Sequence, residues 1–184
     1  AIAIYDAFVS SYPNNPLGLE RLANAYLRAG RPAKSIPLFN RLLKQVQPQA
    51  HLFLNKGIAE AGTGKKEEAL LSFKAALELR PEYPLALSNL GKLSGDMGHP
   101  HQAIAYFDEA IELDEEFLDA WLNRGITLRE LGRGQEALNS LNRALSLNPH
   151  HARALYHLAM TKKQVGGIDE QELLLLLQDV IDQE

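Results

Sequence analysis

Apolar residues in this chain recur at intervals of three and four, the spacing of amphipathic helices. Within residues 121–149, two such segments flank the tripeptide Gly-Arg-Gly, which predicts a helix, a tight turn and a second helix. The same skeleton returns every 34 residues, as one column of glycines shows: Gly30, Gly64, Gly98, Gly132 and Gly166. No apolar run approaches ~18 residues, so we expect packed helices and no membrane insertion. The sequence therefore predicts an internal helical repeat.

Each repeated column has a physical explanation. The glycines of the column that begins at Gly30 each follow an apolar segment, where a helix is expected to end. Glycine adopts the positive φ of such a helix end more easily than any other residue. A second column lies inside a helix, where glycine costs about 1 kcal/mol relative to alanine: Gly57, Gly91 and Gly125. That cost indicates a close approach of two helices, with small residues expected opposite: Ala69, Ala103 and Ala137. A largely aromatic row is expected to fill the space between hairpins: Phe39, Phe73, Phe107 and Leu141.

This pattern resembles the tetratricopeptide repeat, a helix–turn–helix unit with the form W-x₂-L-G-x₂-Y…A-x₃-F…A…P. The fourth repeat carries most of that signature: Trp121, Gly125, Leu128, Ala137, Leu141, Ala144 and Pro149. The resemblance covers nearly the whole chain and implies an all-α fold. In that fold, helical hairpins stack into a right-handed superhelical solenoid, and the first helix of each repeat lines the concave surface.

In this register, residues 1–184 form a single array of repeats. Residues 1–15 match the second helix of a truncated repeat, and residues 152–184 form a divergent terminal repeat or cap. Four complete repeats lie between them: 16–49, 50–83, 84–117 and 118–151. Since the chain does not begin with Met, we interpret it as a fragment of a larger protein, for which we expect a bacterial source.

The terminal segment has its own pattern. Asp169 followed by Glu172 predicts a capping box at the start of a last helix. Leu174 and Leu175 lie outside the main apolar face of that helix. We therefore expect further chain or a second molecule to cover them, which makes a homo-oligomer through this helix one candidate assembly.

Composition narrows the chemistry further. A net charge of −4 is too small to indicate nucleic acid or an anionic membrane as partner. The absence of cysteine excludes disulfides and thiolate metal sites. The stretch GTGKK at residues 62–66 lacks the spacing of a phosphate loop, and the histidine pairs lack the spacing of a zinc site. With no catalytic arrangement of side chains in the sequence, we predict no enzyme activity, no cofactor and no metal.

The two faces of each first helix differ. Positions 4, 7, 8 and 11 of the repeat hold the apolar and glycine columns and are expected to pack, whereas positions 2, 5, 6, 9, 12 and 13 share a face that is free for recognition. Position 6 places Asn55, Asn89 and Asn123 in register. Each amide offers a donor and an acceptor, so such a ladder can pair with the backbone of an extended peptide. Family members that bind peptides in this way include the O-linked N-acetylglucosamine transferases. Alternatively, these amides bond within their own scaffold.

The candidate peptide-binding residues on the concave face are Asn24, Asn55, Asn89, Lys92, Asn123, Arg129, Arg153, Tyr156 and His157. Family members that grip a C-terminal carboxylate use Lys and Asn, then Asn, then Lys and Arg in three successive repeats. Repeats three to five match this set only in part, so we disfavour such a clamp.

The sequence thus predicts an interaction scaffold that binds a peptide or protein segment in the concave groove. One alternative is the substrate-recognition arm of a larger transferase, linked to a sulfotransferase or glycosyltransferase domain. A second alternative is a self-associating assembly module, because the exposed face of a terminal repeat is adhesive. We expect a cytoplasmic location, with the periplasm left open because a fragment need not include the targeting segments of its parent protein. Neither the partner nor the pathway follows from the fold.

Overall fold

The computed structural model describes residues 2–168 and Gln171. That part of the chain contains ten helices and no strand, which confirms the predicted all-α class. The helices are α1 (Ile2–Ser11), α2 (Pro16–Arg28), α3 (Pro32–Leu42), α4 (Ala50–Ala61), α5 (Lys66–Leu79), α6 (Pro84–Asp96), α7 (Pro100–Leu113), α8 (Leu118–Glu130), α9 (Gly134–Leu147) and α10 (Ala152–Gln164).

The helices form two compact units, divided between Leu93 and Ser94 within α6. In the first unit, α1 packs on α2, α2 on α3, α3 on α4, and α4 on α5. In the second unit, α7 packs on α8, α8 on α9, and α9 on α10, while α8 also touches α10. Both units are therefore built from antiparallel neighbours joined by short turns.

The turns form as the glycine column predicts. Each of its glycines has a positive φ, between 66° at Gly30 and 83° at Gly98. The residue after the glycine closes the helix end: the N–H of Arg31 donates to the Tyr26 carbonyl at 2.9 Å. The N–H of Arg133 donates to the Leu128 carbonyl at the same distance. This is the Schellman pattern, in which a left-handed residue lets the last carbonyls of a helix find donors.

The helical glycines mark close contacts, but their partners differ from the expectation. A Cβ atom at Gly57 would lie 2.6 Å from Cε1 of Phe73, and one at Gly125 would lie 2.7 Å from Cγ of Leu141. Of the predicted alanine column, one atom is among the three nearest to these Cβ positions: the carbonyl oxygen of Ala137, 3.3 Å from a Cβ at Gly125. Phe73 and Leu141 therefore pack inside their own hairpins, because each large side chain, one turn further along the second helix than the alanine, occupies the space that glycine leaves.

Position 7 also departs from the expected apolar column, since it holds cations in two repeats. In the first unit, Lys56 Nζ lies 2.9 Å from Glu60 Oε1 and donates to Ser72 Oγ at 3.1 Å. The Ser72 hydroxyl donates to Glu60 Oε2 at 2.6 Å, and Glu60 is only 3% exposed. A buried carboxylate is tolerated here because both of its oxygens have partners.

The second unit repeats this link with arginine. Arg124 donates from Nη1 to Ser140 Oγ at 2.7 Å and from Nε to Asp108 Oδ1 at 2.6 Å. The lysine and arginine links both join residues sixteen positions apart. Position 7 therefore ties the two helices of a hairpin together by polar as well as apolar contacts.

The proposed capping box of Asp169 and Glu172 lies outside the described residues, as do Leu174 and Leu175.

We expect the exchange Gly57→Ala to destabilise the protein by about 1–3 kcal/mol, because the new methyl group would overlap the fully buried ring of Phe73. At an unconstrained helical position the same exchange stabilises by about 1 kcal/mol. The midpoint of urea unfolding, followed by circular dichroism, measures the change. Gly95→Ala is the matched control, since its Cβ would meet only Ala103 Cβ at 3.8 Å. Wild-type stability for Gly57→Ala would contradict the packing described above.

Candidate functional site

In the first unit, the helices α2 and α4 present an amide pair. Asn55 Nδ2 donates to Asn24 Oδ1 at 3.0 Å, and both side chains are half-buried. One turn towards the N-terminus of each helix, His51 Nε2 lies 3.3 Å from Glu20 Oε1. Because residues four apart lie on one helical face, the two contacts form a continuous polar strip across α2 and α4.

The register of this strip differs from the sequence expectation. Both contacts join residues 31 positions apart, whereas the repeat period is 34. Asn55, at position 6, therefore meets position 9 of the preceding repeat. Position 9 of the preceding repeat is Asn24. Position 6 of the same repeat is Arg21, which is exposed.

Asn89 lies on α6 in a different environment. The residue 31 positions before it is Ile58, which has no hydrogen-bonding side chain. Asn89 Nδ2 instead donates to the carbonyl of Leu85, one turn earlier in its own helix, at 2.7 Å. Lys92, three residues further on, is exposed. Asn55 and Asn89, although in sequence register, thus make different bonds.

In the second unit, Asn123 on α8 is only 7% exposed. Its backbone carbonyl accepts a hydrogen bond from the Thr127 hydroxyl at 2.9 Å. A side chain this buried is less accessible to a ligand than the half-buried amides of Asn24 and Asn55.

The remaining candidates form a cationic cluster on α8 and α10. Arg129 lies on α8, while Arg153, Tyr156 and His157 lie on α10. The ring of Tyr156 is 44% exposed and meets the His157 ring edge-on, with 5.2 Å between centroids. Among the residues that the structure describes, neither guanidinium has a carboxylate within ion-pair distance.

The imidazole of His157 has a perturbed pKa. Burial lowers the pKa of its imidazole from 6.5 to about 4, with further lowering by the positive charges of Arg129 and Arg153. Within the described part of the chain, its buried Nδ1 atom has no hydrogen-bond partner. Its counterpart by the 31-residue offset is Ile126, which offers no polar group. His157 is therefore neutral at pH 7.

The structure thus brings the candidates together in two groups. Asn24 and Asn55 touch one another, and Arg129, Arg153, Tyr156 and His157 share one region of the second unit. Glu20 and His51 were not predicted as site residues. Both occupy positions of the recognition face in their repeats, so the repeat register could have identified them. Among the described residues, none of the helices has the length and hydrophobicity of a membrane span. The same residues contain no group of three or more His, Asp or Glu side chains that could hold a metal ion.

Family models identify the repeat. Models described as tetratricopeptide repeat match residues 1–51 and 20–84, residues 85–117, and residues 118–151. No curated protein matches this chain in sequence.

Solved structures share its fold. MamA from Desulfovibrio magneticus RS-1 (residue 41 to the end) has a TM-score of 0.76 at 15% identity, over 91% of this chain and 94% of that chain. YrrB, described as a tetratricopeptide protein with an unusual peptide-binding site, has a TM-score of 0.67 at 21% identity, over 100% and 94%. A chain of the APC/C hetero-tetramer Cut9–Hcn1 has a TM-score of 0.85 at 17% identity, over all of this chain but 36% of that one. At these identities the likeness shows the fold.

We expect the double exchange Arg129→Ala and Arg153→Ala to raise the pKa of His157 above its wild-type value of about 4. The pKa should stay below 6.5, because burial is the largest cause of the shift. Titration of the His157 ring by NMR, assigned with a His157→Gln variant, measures this. Arg143→Ala on α9 is the control and should leave the titration unchanged.

The two pKa values of His157, about 4 in the folded chain and 6.5 in the unfolded chain, determine how the stability of the protein depends on pH. Between about pH 4 and pH 6.5 the unfolded chain binds more protons at His157 than the folded chain does. The stabilising contribution of the neutral ring is therefore complete above pH 6.5 and is lost as the pH falls towards 4. A His157 titration centred at its ordinary value in the folded protein would contradict the described burial.

Proposed function

Because the chain belongs to the tetratricopeptide repeat family, we propose that it is a protein-interaction scaffold that binds an extended segment of a partner protein across the first helices of its repeats. Repeats of this kind act as interaction surfaces rather than catalysts. The peptide-binding site described for YrrB, which shares the fold, is consistent with this role.

The observation that carries the proposal is the hydrogen-bonded pair of Asn24 and Asn55. Each amide has one oxygen and one NH₂ group. The bond from Asn55 to Asn24 leaves the Asn24 NH₂ and the Asn55 oxygen available. A peptide unit offers the complementary carbonyl and N–H, so the pair can hold one peptide group at two points. Flipping both amides exchanges the roles and leaves the same combination of donor and acceptor.

The pair is also well placed energetically. Its own hydrogen bond holds both side chains, so little rotamer freedom remains to be lost on binding. Both side chains are half-buried, which reduces competition from water while keeping the groups accessible. The neighbouring contact between His51 and Glu20 extends the polar strip along the same two helices.

The second unit offers different recognition chemistry. Tyr156, which is 44% exposed, presents an aromatic ring with a hydroxyl group, the kind of side chain that is enriched in binding surfaces. Arg153 is exposed beside it, and Arg129 is partly exposed on α8. A segment bound at this unit would be recognised by its side chains rather than by its backbone.

The proposal is tested with peptides selected from an unbiased displayed library against the whole chain. Their affinities are then measured by fluorescence polarisation. We expect the variant Asn24→Ala/Asn55→Ala to bind the selected peptides about tenfold more weakly, because two hydrogen bonds of about 0.5–1.5 kcal/mol each are removed.

Asn40→Ala provides the control, because it removes an exposed amide from α3, outside the recognition face. It should leave affinity unchanged. Selected peptides that bind the double variant as tightly as wild type would remove the amide pair from the binding surface. If the library yields no specific binder, peptide recognition itself is refuted.

A further inference from the structure

The first unit contains a groove that shares no lining residue with the predicted recognition face. It has a volume of about 600 Å³ and lies between α1, α2 and α3. Four side chains that are at least nine-tenths buried form its apolar floor: Val9, Leu22, Tyr26 and Leu38. Pockets of this volume with an apolar lining and a few polar groups are typical of binding sites.

A proline shapes one wall. Pro37 lies inside α3, where it has no N–H to donate to the carbonyl of Ala33. Both residues line the groove. The wall therefore contains a backbone acceptor that lacks its regular helical donor, and an occupant with an N–H group could supply one.

The charges along the rim are unequal. Lys34 and Arg41, both exposed, stand on the α3 wall, seven residues or about 10 Å apart along the helix. Lys34 Nζ lies 5.4 Å from the centroid of the Tyr26 ring, and Arg41 donates to the carbonyl of Pro13 at 2.5 Å. In the described part of the protein, neither cation has a carboxylate within ion-pair distance.

The opposite wall carries one carboxylate, Asp6 on α1. One of its oxygens, Oδ1, is already 3.5 Å from the Tyr26 hydroxyl, which can donate to it. The rim therefore has an excess of positive charge, concentrated on α3. This asymmetry favours an occupant that carries negative charge on the side facing α3.

We propose that this groove binds a segment of a partner protein that inserts one bulky apolar side chain onto the floor and places acidic side chains against Lys34 and Arg41. The groove is lined along both sides by helices of about three turns, with exposed residues on each rim. That shape suits a chain lying along the helices. The site is an addition to the polar strip of α2 and α4, and its occupant differs in chemistry from a peptide held by its backbone.

The test uses three fluorescein-labelled synthetic peptides in a Gly/Ser background, with fluorescence anisotropy on the whole chain. Their central residues are phenylalanine flanked by glutamates, phenylalanine flanked by lysines, and alanine flanked by glutamates. We expect the first peptide to bind at least about tenfold more tightly than either of the others. Equal binding by the three, or no binding of the first at millimolar concentration, would overturn the proposal.

Charge reversal locates the site. Lys34→Glu/Arg41→Glu should weaken binding of the acidic phenylalanine peptide by about tenfold or more. Lys65→Glu/Lys74→Glu makes the same change in net charge at exposed residues of the same unit that lie outside the groove, and should have little effect. An equal loss in both variants would mean general electrostatic attraction and would overturn the proposal.

A second pair of variants tests the apolar part. Ala33→Trp adds bulk at an exposed position of the groove wall, and Ala7→Trp adds the same bulk on α1 outside the lining. Only the first should weaken binding, with helical content checked by circular dichroism for both. The Asn24→Ala/Asn55→Ala variant should bind this peptide as the wild type does. A loss in that variant would place the peptide on the recognition face and exclude the groove.

Discussion

The contact between a glycine in one helix and a large side chain in the next is the constraint on which the α4–α5 and α8–α9 hairpins depend. Phe73 and Leu141 are almost completely buried, and each reaches a position where Gly57 or Gly125 has no Cβ. This contact fixes which side of the first helix faces its partner. Two residues along a helix correspond to about 200°, so Asn55 lies on the side of α4 away from the partner of Gly57. The recognition face is thus a consequence of the packing.

Local rules made most of the fold predictable. The turn glycines have positive φ because the sequence places glycine where a helix must end, and no other residue adopts that conformation as easily. The partner of the helical glycines was not predictable in the same way. Ala69 and Phe73 lie one turn apart on one face of α5, so periodicity identifies the face but not the axial level. The tertiary contact selects the ring of Phe73, and periodicity carries no information about that choice.

Periodicity also fails to predict the contacts of the candidate site. A period of 34 places Asn55 and Asn89 in equivalent positions, but the two side-chain contacts between α2 and α4 follow an offset of 31. Under that offset Asn55 meets Asn24, whereas Asn89 corresponds to Ile58 and bonds to its own helix. Position 7 shows a similar effect, because Lys56 is acceptable in an apolar column only where Glu60 and Ser72 are present to satisfy it. Such partners are a property of three-dimensional neighbours, not of column composition.

Recognition in a repeat protein is therefore best sought where a residue departs from its column. Columns that every repeat shares maintain stacking, and stacking is the same task in each repeat. Asn24 stands where later repeats have Ile58, Lys92 and Ile126. Pro37 stands where they have Leu71, Ala105 and Asn139, and it leaves a backbone acceptor in the wall of a groove. Neither Asn24 nor Pro37 takes part in the hairpin contacts that Gly57 and Gly125 make with Phe73 and Leu141. Stacking holds the scaffold in place but does not require these residues. They are therefore free to differ from one repeat to the next and to match a particular partner.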